Sequence, residues 1–305
     1  MDLRAKLLDP AQQVLLYGTT PPRAGTPPEQ VGSAADKLTA RLDGMPLDGV
    51  VVYDIQDETG RTQAPRPFPY IRTIDPRDYA RLFQRPAIVY KALGAMDEAQ
   101  WREWLAASER TVQFLSIVGR PASGARYALP LSRAIRIASE NPAFIVGGVV
   151  IAERHDEQRS EAARLLAKGI EGCGYFISQT VYHADATIRL LADYARDCRG
   201  AGVKPRRIVL SFAPVGREKT MNFLAWLGVR MPPEIAAGIL GAANPLARSI
   251  GVCRDNLRRI LDQPYAREIP LGVSVESVSI NKDEIDASID LFHVLAETVG
   301  EARRS

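Results

Sequence analysis

Phe144-Ile-Val-Gly-Gly-Val-Val-Ile151 is a run of eight residues without a charge and without polar alternation. Such a run suits a strand buried on both faces of a parallel sheet. The segment from Glu157 to Gly172 follows with helical spacing, bringing Ala162, Leu165, Leu166 and Ile170 to one side and closing on a glycine stop signal. A second strand-like run, Gly174-Tyr-Phe-Ile-Ser178, comes next and passes into the loop Gln179-Thr-Val-Tyr182.

Outward from this unit the alternation continues in both directions. Strands are expected at Val14–Tyr17, Gly49–Tyr53, Ala87–Tyr90 and Thr111–Val118 before it, and at Arg207–Phe212 and Leu271–Val275 after it. Helical spacing recurs over Pro28–Leu42, Asp97–Ala107, Asp185–Cys198 and Lys282–Glu297, with an extra helix over Leu246–Leu261. Eight strands with intervening helices is the count of an α/β fold of the (β/α)8 TIM barrel type, read as a single domain over residues 1–305. A doubly wound open sheet is the alternative. It would want a glycine-rich phosphate turn after an early strand, and Gly18-Thr-Thr-Pro-Pro-Arg23 is not one. The stretch Pro65-Arg-Pro-Phe-Pro-Tyr70 reads as a rigid loop over the barrel mouth.

A chain 46% apolar and 25% charged has the balance of a globular protein. The formal charge of +3 comes without a basic block or aromatic-interleaved stripe, so nucleic acid is not an expected partner. No apolar stretch reaches the roughly 18 residues of a membrane span. Met1-Asp-Leu-Arg-Ala-Lys6 lacks the basic-then-apolar pattern of a secretion signal, which gives a cytoplasmic expectation. Cys173, Cys198 and Cys253 and the histidines at 155, 183 and 293 are dispersed, so no metal is expected. A homo-oligomer is compatible with the sequence, which does not specify one.

In such a barrel the chemistry lies where strands end and the following loops begin. That rule nominates Gly18 after the first strand, Asp54 and Glu58 after the second, and Lys91 after the third. It adds Gly119 and Arg120, then Glu153 and His155, then Ser178, Gln179 and Tyr182, then Phe212, and finally Glu276. Asp54, Asp57 and Glu58 form the densest acidic group; close carboxylates raise one another's pKa and can yield a general acid, unless the loop is simply solvated and paired with Arg61 or Arg66. The Gln179 amide donates and accepts at once, which suits the edge of a heterocycle such as a pterin. Capping the strand end is its plainer role. Lys168, inside a helix, reads by itself as a solvated lysine.

Several segments resemble the methylenetetrahydrofolate reductase family. Glu153-Arg-His155, a helix carrying Lys168, and Gly172-Cys-Gly-Tyr-Phe-Ile-Ser-Gln179-Thr-Val-Tyr182 match in order and spacing a Tyr-Pro-Glu-x-His motif, a helix with a lysine, and an Ile-Thr-Gln-Phe-Phe-Phe run. Pro21-Pro-Arg23, Leu115-Ser-Ile-Val-Gly119-Arg120-Pro121 and Ser279-Ile-Asn-Lys282 resemble further family segments. The resemblance implies a (β/α)8 barrel that binds FAD and a folate substrate, with NAD(P)H as donor. Gln179 would then hold the pterin, with Tyr182 and Phe212 nearby, while Gly119, Arg120, Glu153, His155, Glu161 and Lys168 would fall on the flavin side. The departures are specific. The family's catalytic glutamate position is Gly18, its flavin-facing aspartate is Arg120, its stacking tyrosine is Ile151 and its strand-three histidine is Tyr90.

Three functions are compatible with this pattern. One is a methylenetetrahydrofolate reductase-like oxidoreductase in which Asp54, Glu58 or Glu276 replaces the missing acid, with FAD either kept or lost in favour of direct hydride transfer from NAD(P)H. Another is a divergent one-carbon transferase or folate-oxidising enzyme on the same barrel. The third is a non-catalytic folate-binding protein.

Overall fold

A computed structural model describes residues 2–58, 63–119, 128–156, 158–302 and 304. The founding unit is β5 (Ile145–Val150), α6 (Glu161–Glu171) and β6 (Tyr175–Thr180), with the two strands paired in parallel from Gly147↔Tyr175 to Val150↔Ser178. Helix α6 starts four residues later than its periodicity suggests, because Ser160 caps it by accepting from Ala163 N at 3.0 Å.

The other strands are β1 (Leu15–Thr19), β2 (Gly49–Val52), β3 (Ala87–Ala92), β4 (Phe114–Val118), β7 (Arg207–Phe212) and β8 (Leu271–Glu276). All eight pair in chain order and in parallel, and β1 returns to β8 to close the barrel, which excludes the open sheet. The helices α2 (Pro28–Arg41), α4 (Glu98–Ser108), α7 (Ala184–Gly200), α10 (Pro245–Leu261) and α11 (Lys282–Ala302) lie where their spacing predicts. Five more are not anticipated: α1 (Leu3–Leu8), α3 (Pro76–Ala80), α5 (Leu131–Ser139), α8 (Glu218–Trp226) and α9 (Pro233–Leu240). Each has nine residues or fewer, too few for a helical period to stand out. Among the described residues no helix is long and apolar enough to cross a membrane.

The barrel interior is filled rather than hollow. Leu16, Val51, Ile88, Phe114, Tyr175, Ile177 and Val209 pack there, with Tyr90 above them. Tyr175 reaches across β5 only because residue 147 is glycine; a Cβ at that position would lie 2.4 Å from the phenol ring. The bottom is sealed by α1, whose Leu3 and Leu7 enter the interior cluster. Arg207, 2% exposed, fastens this plug by donating to Leu7 O, Asp9 O and Leu271 O at 3.2, 2.6 and 3.1 Å.

The top of β6 carries an irregularity. Ile177 pairs with Val209 and Thr180 with Ser211, so β6 spends one residue more than β7 over the same stretch. Ser178 fills the gap: its hydroxyl accepts from Ser211 N at 2.9 Å and donates to Gln179 O at 2.7 Å. Such a bulge re-aims the side chains that follow it.

Candidate functional site

A cavity of about 830 Å³ opens at the C-terminal mouth of the barrel, the end at which such folds keep their sites. Its floor is made by Gly18, Tyr53, Gln179, Thr180 and Glu276. Gly18 and Glu276 are register partners across β1 and β8. A Cβ on residue 18 would lie 2.7 Å from Tyr53 Cε2, 2.8 Å from its hydroxyl and 3.0 Å from Glu276 Cβ. Tyr53 and Glu276 therefore occupy the volume that a side chain on β1 would need, and the glycine is a condition of their being there. Thr180 Oγ1 donates to Glu276 Oε1 at 3.2 Å, and the Tyr53 phenol approaches the same carboxyl. Burial raises the Glu276 pKa above the ordinary carboxylate range, only partly offset by these two donors. Tyr53 in turn packs edge-to-face on Tyr90 with ring centroids 4.8 Å apart, and burial with the neighbouring Glu276 charge pushes its own pKa well up.

Gln179 Nε2 donates to Leu227 O at 2.8 Å. A carbonyl oxygen can only accept, so the amide nitrogen must face it and Oε1 must face the other way. That oxygen is buried with no partner among the described residues, an acceptor of the kind that native proteins seldom leave unused.

The cavity extends sideways past Gly119, Leu131, Val149 and Ile151 to α6, where Glu161, Arg164 and Lys168 line it. Lys168 Nζ donates to Val149 O at 2.8 Å and stands 4.0 Å from Glu161 Oε1. Burial pulls its pKa down, against the pull of Glu161 upward. Glu161, 3% exposed, also takes Arg164 at 3.3 Å and Ile151 N at 3.5 Å. Lys168 is thus not the solvated lysine of the sequence reading.

The remaining candidates separate. Asp54 and Glu58 line the cavity, but Asp54 accepts from Ala92 N at 2.9 Å and stands 3.7 Å from Lys91 Nζ. Burial raises its pKa and Lys91 opposes the rise; its bonds tie β2 to β3. Lys91 also reaches Asp75 at 3.6 Å and lies over the Trp104 ring. Like Lys91, four more of the predicted positions do not line the cavity. His155 turns outward to Asp193 on α7, with Nε2 to Oδ2 at 2.9 Å, because the short 3₁₀ turn Ala152–Arg154 redirects the chain after β5. Glu153 shares a small void with Thr187 and Leu190 of α7. Tyr182 is buried beneath the loops, donating to Ala213 O at 2.6 Å beside Ser249, and Phe212 is wholly enclosed in the core. Arg120 lies outside the described residues.

Sequence reasoning missed the residues that hold the rim. Glu284 at the start of α11, 2% exposed, accepts from Gly216 N at 3.1 Å, from Thr220 Oγ1 at 3.0 Å and from Ser279 Oγ, joining the β7–α8 and β8–α11 loops. Arg66 of the proline-rich loop and Phe223 of α8 also line the cavity. An acid one turn into a helix carries no sequence signal for such a role; the proline density around Arg66 did.

Of the described positions that resemblance assigns to a flavin, Gly119, Glu161 and Lys168 line the cavity and His155 and Glu153 do not. His155 pairs with Asp193, Glu153 shares a small neighbouring void with Ser178 and Gln179, Ile151 offers no ring, and Glu161 and Lys168 are engaged with each other and with main-chain atoms.

No protein-family model matches the sequence, and no curated protein does. Among solved structures, a dihydropteroate synthase from Xanthomonas albilineans in complex with 7,8-dihydropteroate is 13% identical with a TM-score of 0.45 over 96% of each chain, a likeness too slight to carry any argument. An uncharacterized protein from Clostridium thermocellum, described as binding two copies of 5-methyl-5,6,7,8-tetrahydrofolic acid, is 30% identical, with a TM-score of 0.82, over 97% of this chain and 99% of that one. Over that length and at that identity, the chain belongs to the same family as this Clostridium thermocellum protein.

Proposed function

We propose that this protein binds a reduced folate at the barrel mouth and reduces its methylene group to methyl with NAD(P)H, without a flavin. One observation carries the reading: the cavity floor holds a buried carboxyl of raised pKa, Glu276, beside an unpartnered buried acceptor, Gln179 Oε1. The relative's 5-methyltetrahydrofolate supports the ligand class. Gln179 Oε1 accepts from the donor edge of the pterin, fixing the ring on the floor. Glu276, whose pKa burial raises, gives its proton to N10 of the folate as the bond from N10 to the bridging carbon opens. That carbon then takes a hydride from the dihydronicotinamide and becomes the methyl group on N5, and Glu276 regains its proton from solvent. General acid assistance of this kind is worth roughly 10²–10⁴-fold in rate. The side of the cavity along α6 gives the second flat ligand its place.

The test is a spectrophotometric assay. Purified colourless protein should oxidise NADH or NADPH only when methylenetetrahydrofolate is present and yield 5-methyltetrahydrofolate. Glu276→Gln should lower kcat by roughly 10²–10⁴-fold and leave folate binding intact. A chain that binds 5-methyltetrahydrofolate but turns over with neither donor is a binding protein. A yellow protein whose bound flavin is reduced during turnover would overturn the flavin-free step.

A further inference from the structure

Arg66 stands at the outer edge of the cavity in an unusual setting. Its guanidinium lies 5.1 Å from the Trp226 ring centroid, 5.6 Å from that of Phe223 and 5.6 Å from that of Tyr70. Three rings hold the plane of the group in one orientation. The rings are themselves fixed: Trp226 Nε1 donates to Ala64 O at 3.1 Å, and Phe68 packs edge-to-face on Phe223 at 5.2 Å. Yet the polar edge of the guanidinium is poorly used. One terminal nitrogen reaches Gln56 O at a long 3.4 Å, and Nε is buried with no partner among the described residues. A preorganised cation that lines a cavity and whose terminal nitrogens make one long bond fits planar paired oxygens.

Both Arg66 and Gln179 are referenced to the same helix. Gln179 bonds the carbonyl of Leu227, and Arg66 packs on Phe223, four residues and about 6 Å of helical rise earlier. A ligand whose flat head sits at Gln179 and whose body runs along α8 presents its far end to Arg66, past the apolar side chains of Leu224 and Phe223. We infer that Arg66 is the anchor for the anionic tail of the folate, binding a carboxylate of the glutamate that follows the aminobenzoyl ring. The inference rests on the folate reading of the cavity and adds a specificity-determining contact to it. The same guanidinium chemistry would accept a phosphate of the nicotinamide donor, and the experiment separates the two.

Calorimetry compares 5-methyltetrahydrofolate, the tail-less 6-methyltetrahydropterin, and NADPH on wild type, Arg66→Gln and Arg66→Lys. Losing a hydrogen-bonded charge contact should weaken 5-methyltetrahydrofolate by roughly 10- to 100-fold in Arg66→Gln, with 6-methyltetrahydropterin and NADPH unchanged. Arg66→Lys should recover part of the loss, since it keeps the charge and gives up the paired donors. Equal losses for the tailed and tail-less ligands would make Arg66 a support for α8 and overturn the inference. A loss confined to NADPH, or no loss at all, would overturn it too. Wild-type protein that binds neither folate nor pterin would remove the folate reading itself and the inference with it; retained pterin binding without an Arg66 effect removes the inference alone.

Discussion

A methyl group on residue 18 is the smallest perturbation that reaches the proposed chemistry. In Gly18→Ala the new Cβ would stand 2.7 and 2.8 Å from Tyr53 and 3.0 Å from Glu276, where ordinary carbon contacts lie at about 3.5–4.0 Å. The Tyr53 ring must retreat by most of an ångström. It has little space to do so, since Tyr90 meets it edge-to-face at 4.8 Å and is itself buried. Overpacking of this kind costs about 1–3 kcal/mol, which in a chain of this size is a fall of about 2–5 °C in Tm. The larger effect is on rate. Glu276 loses its Tyr53 neighbour or shifts with it, and a misplacement of about 1 Å in a reacting group costs about 100-fold. Scanning calorimetry and the nicotinamide oxidation assay read the two effects separately. Tyr53→Phe in the same background removes the hydroxyl contact alone and should restore part of the stability. A Gly18→Ala protein with wild-type Tm and full kcat would refute the claim that the glycine makes room for the acid.

Other outcomes follow from the same geometry. With Glu276 as the proposed acid, kcat/KM should fall as pH rises through its elevated pKa, and a flat profile in that range would exclude it. The stability sign is the same: a carboxyl whose folded pKa is raised contributes fully below its unfolded value and loses that contribution as pH rises through the folded one. Glu276→Gln should therefore gain in Tm relative to wild type at alkaline pH. Gln179→Ala should weaken 5-methyltetrahydrofolate by about 1–3 kcal/mol in calorimetry; unchanged affinity would sink the pterin contact. Arg207→Met strips three main-chain carbonyls of their donor and should cost about 2–4 kcal/mol in urea denaturation, with folate affinity unaltered. Asp54→Asn should lower Tm through the lost Lys91 pair and leave kcat near wild type; a large fall in kcat would reinstate Asp54 as the acid.

The barrel was legible because parallel strands buried on both faces give apolar runs, and runs such as 144–151 and 207–212 contain little else. The expected strands met the observed ones within three residues at their ends. Short helices were not legible: α3 has five residues and α8 nine, and neither fixes a phase. In the site, Gln179 was found from its residue type at a strand end, and Glu276 from position alone. His155 and Glu153 were misdirected by order in the sequence, which says that a residue follows β5 but not which side of the sheet it then faces. The pairing of Gly18 with Glu276 was undecidable in one dimension. Gly18 and Glu276 are 258 positions apart in the chain and neighbours only once β1 closes on β8.

The extra residue in β6 sets the regularity of the sheet against the placement of Gln179. Deleting Ser178 would let the strand follow β7 without a break, setting Gln179 opposite Leu210 on the outward face while Thr180 keeps its place opposite Ser211. The sheet would gain a regular ladder, and Gln179 would leave the cavity. Random mutagenesis screened for heat resistance alone should therefore recover deletions in this stretch among its stable, inactive clones. A designer who idealised this backbone would remove the recognition element first and see a better protein by every measure except binding.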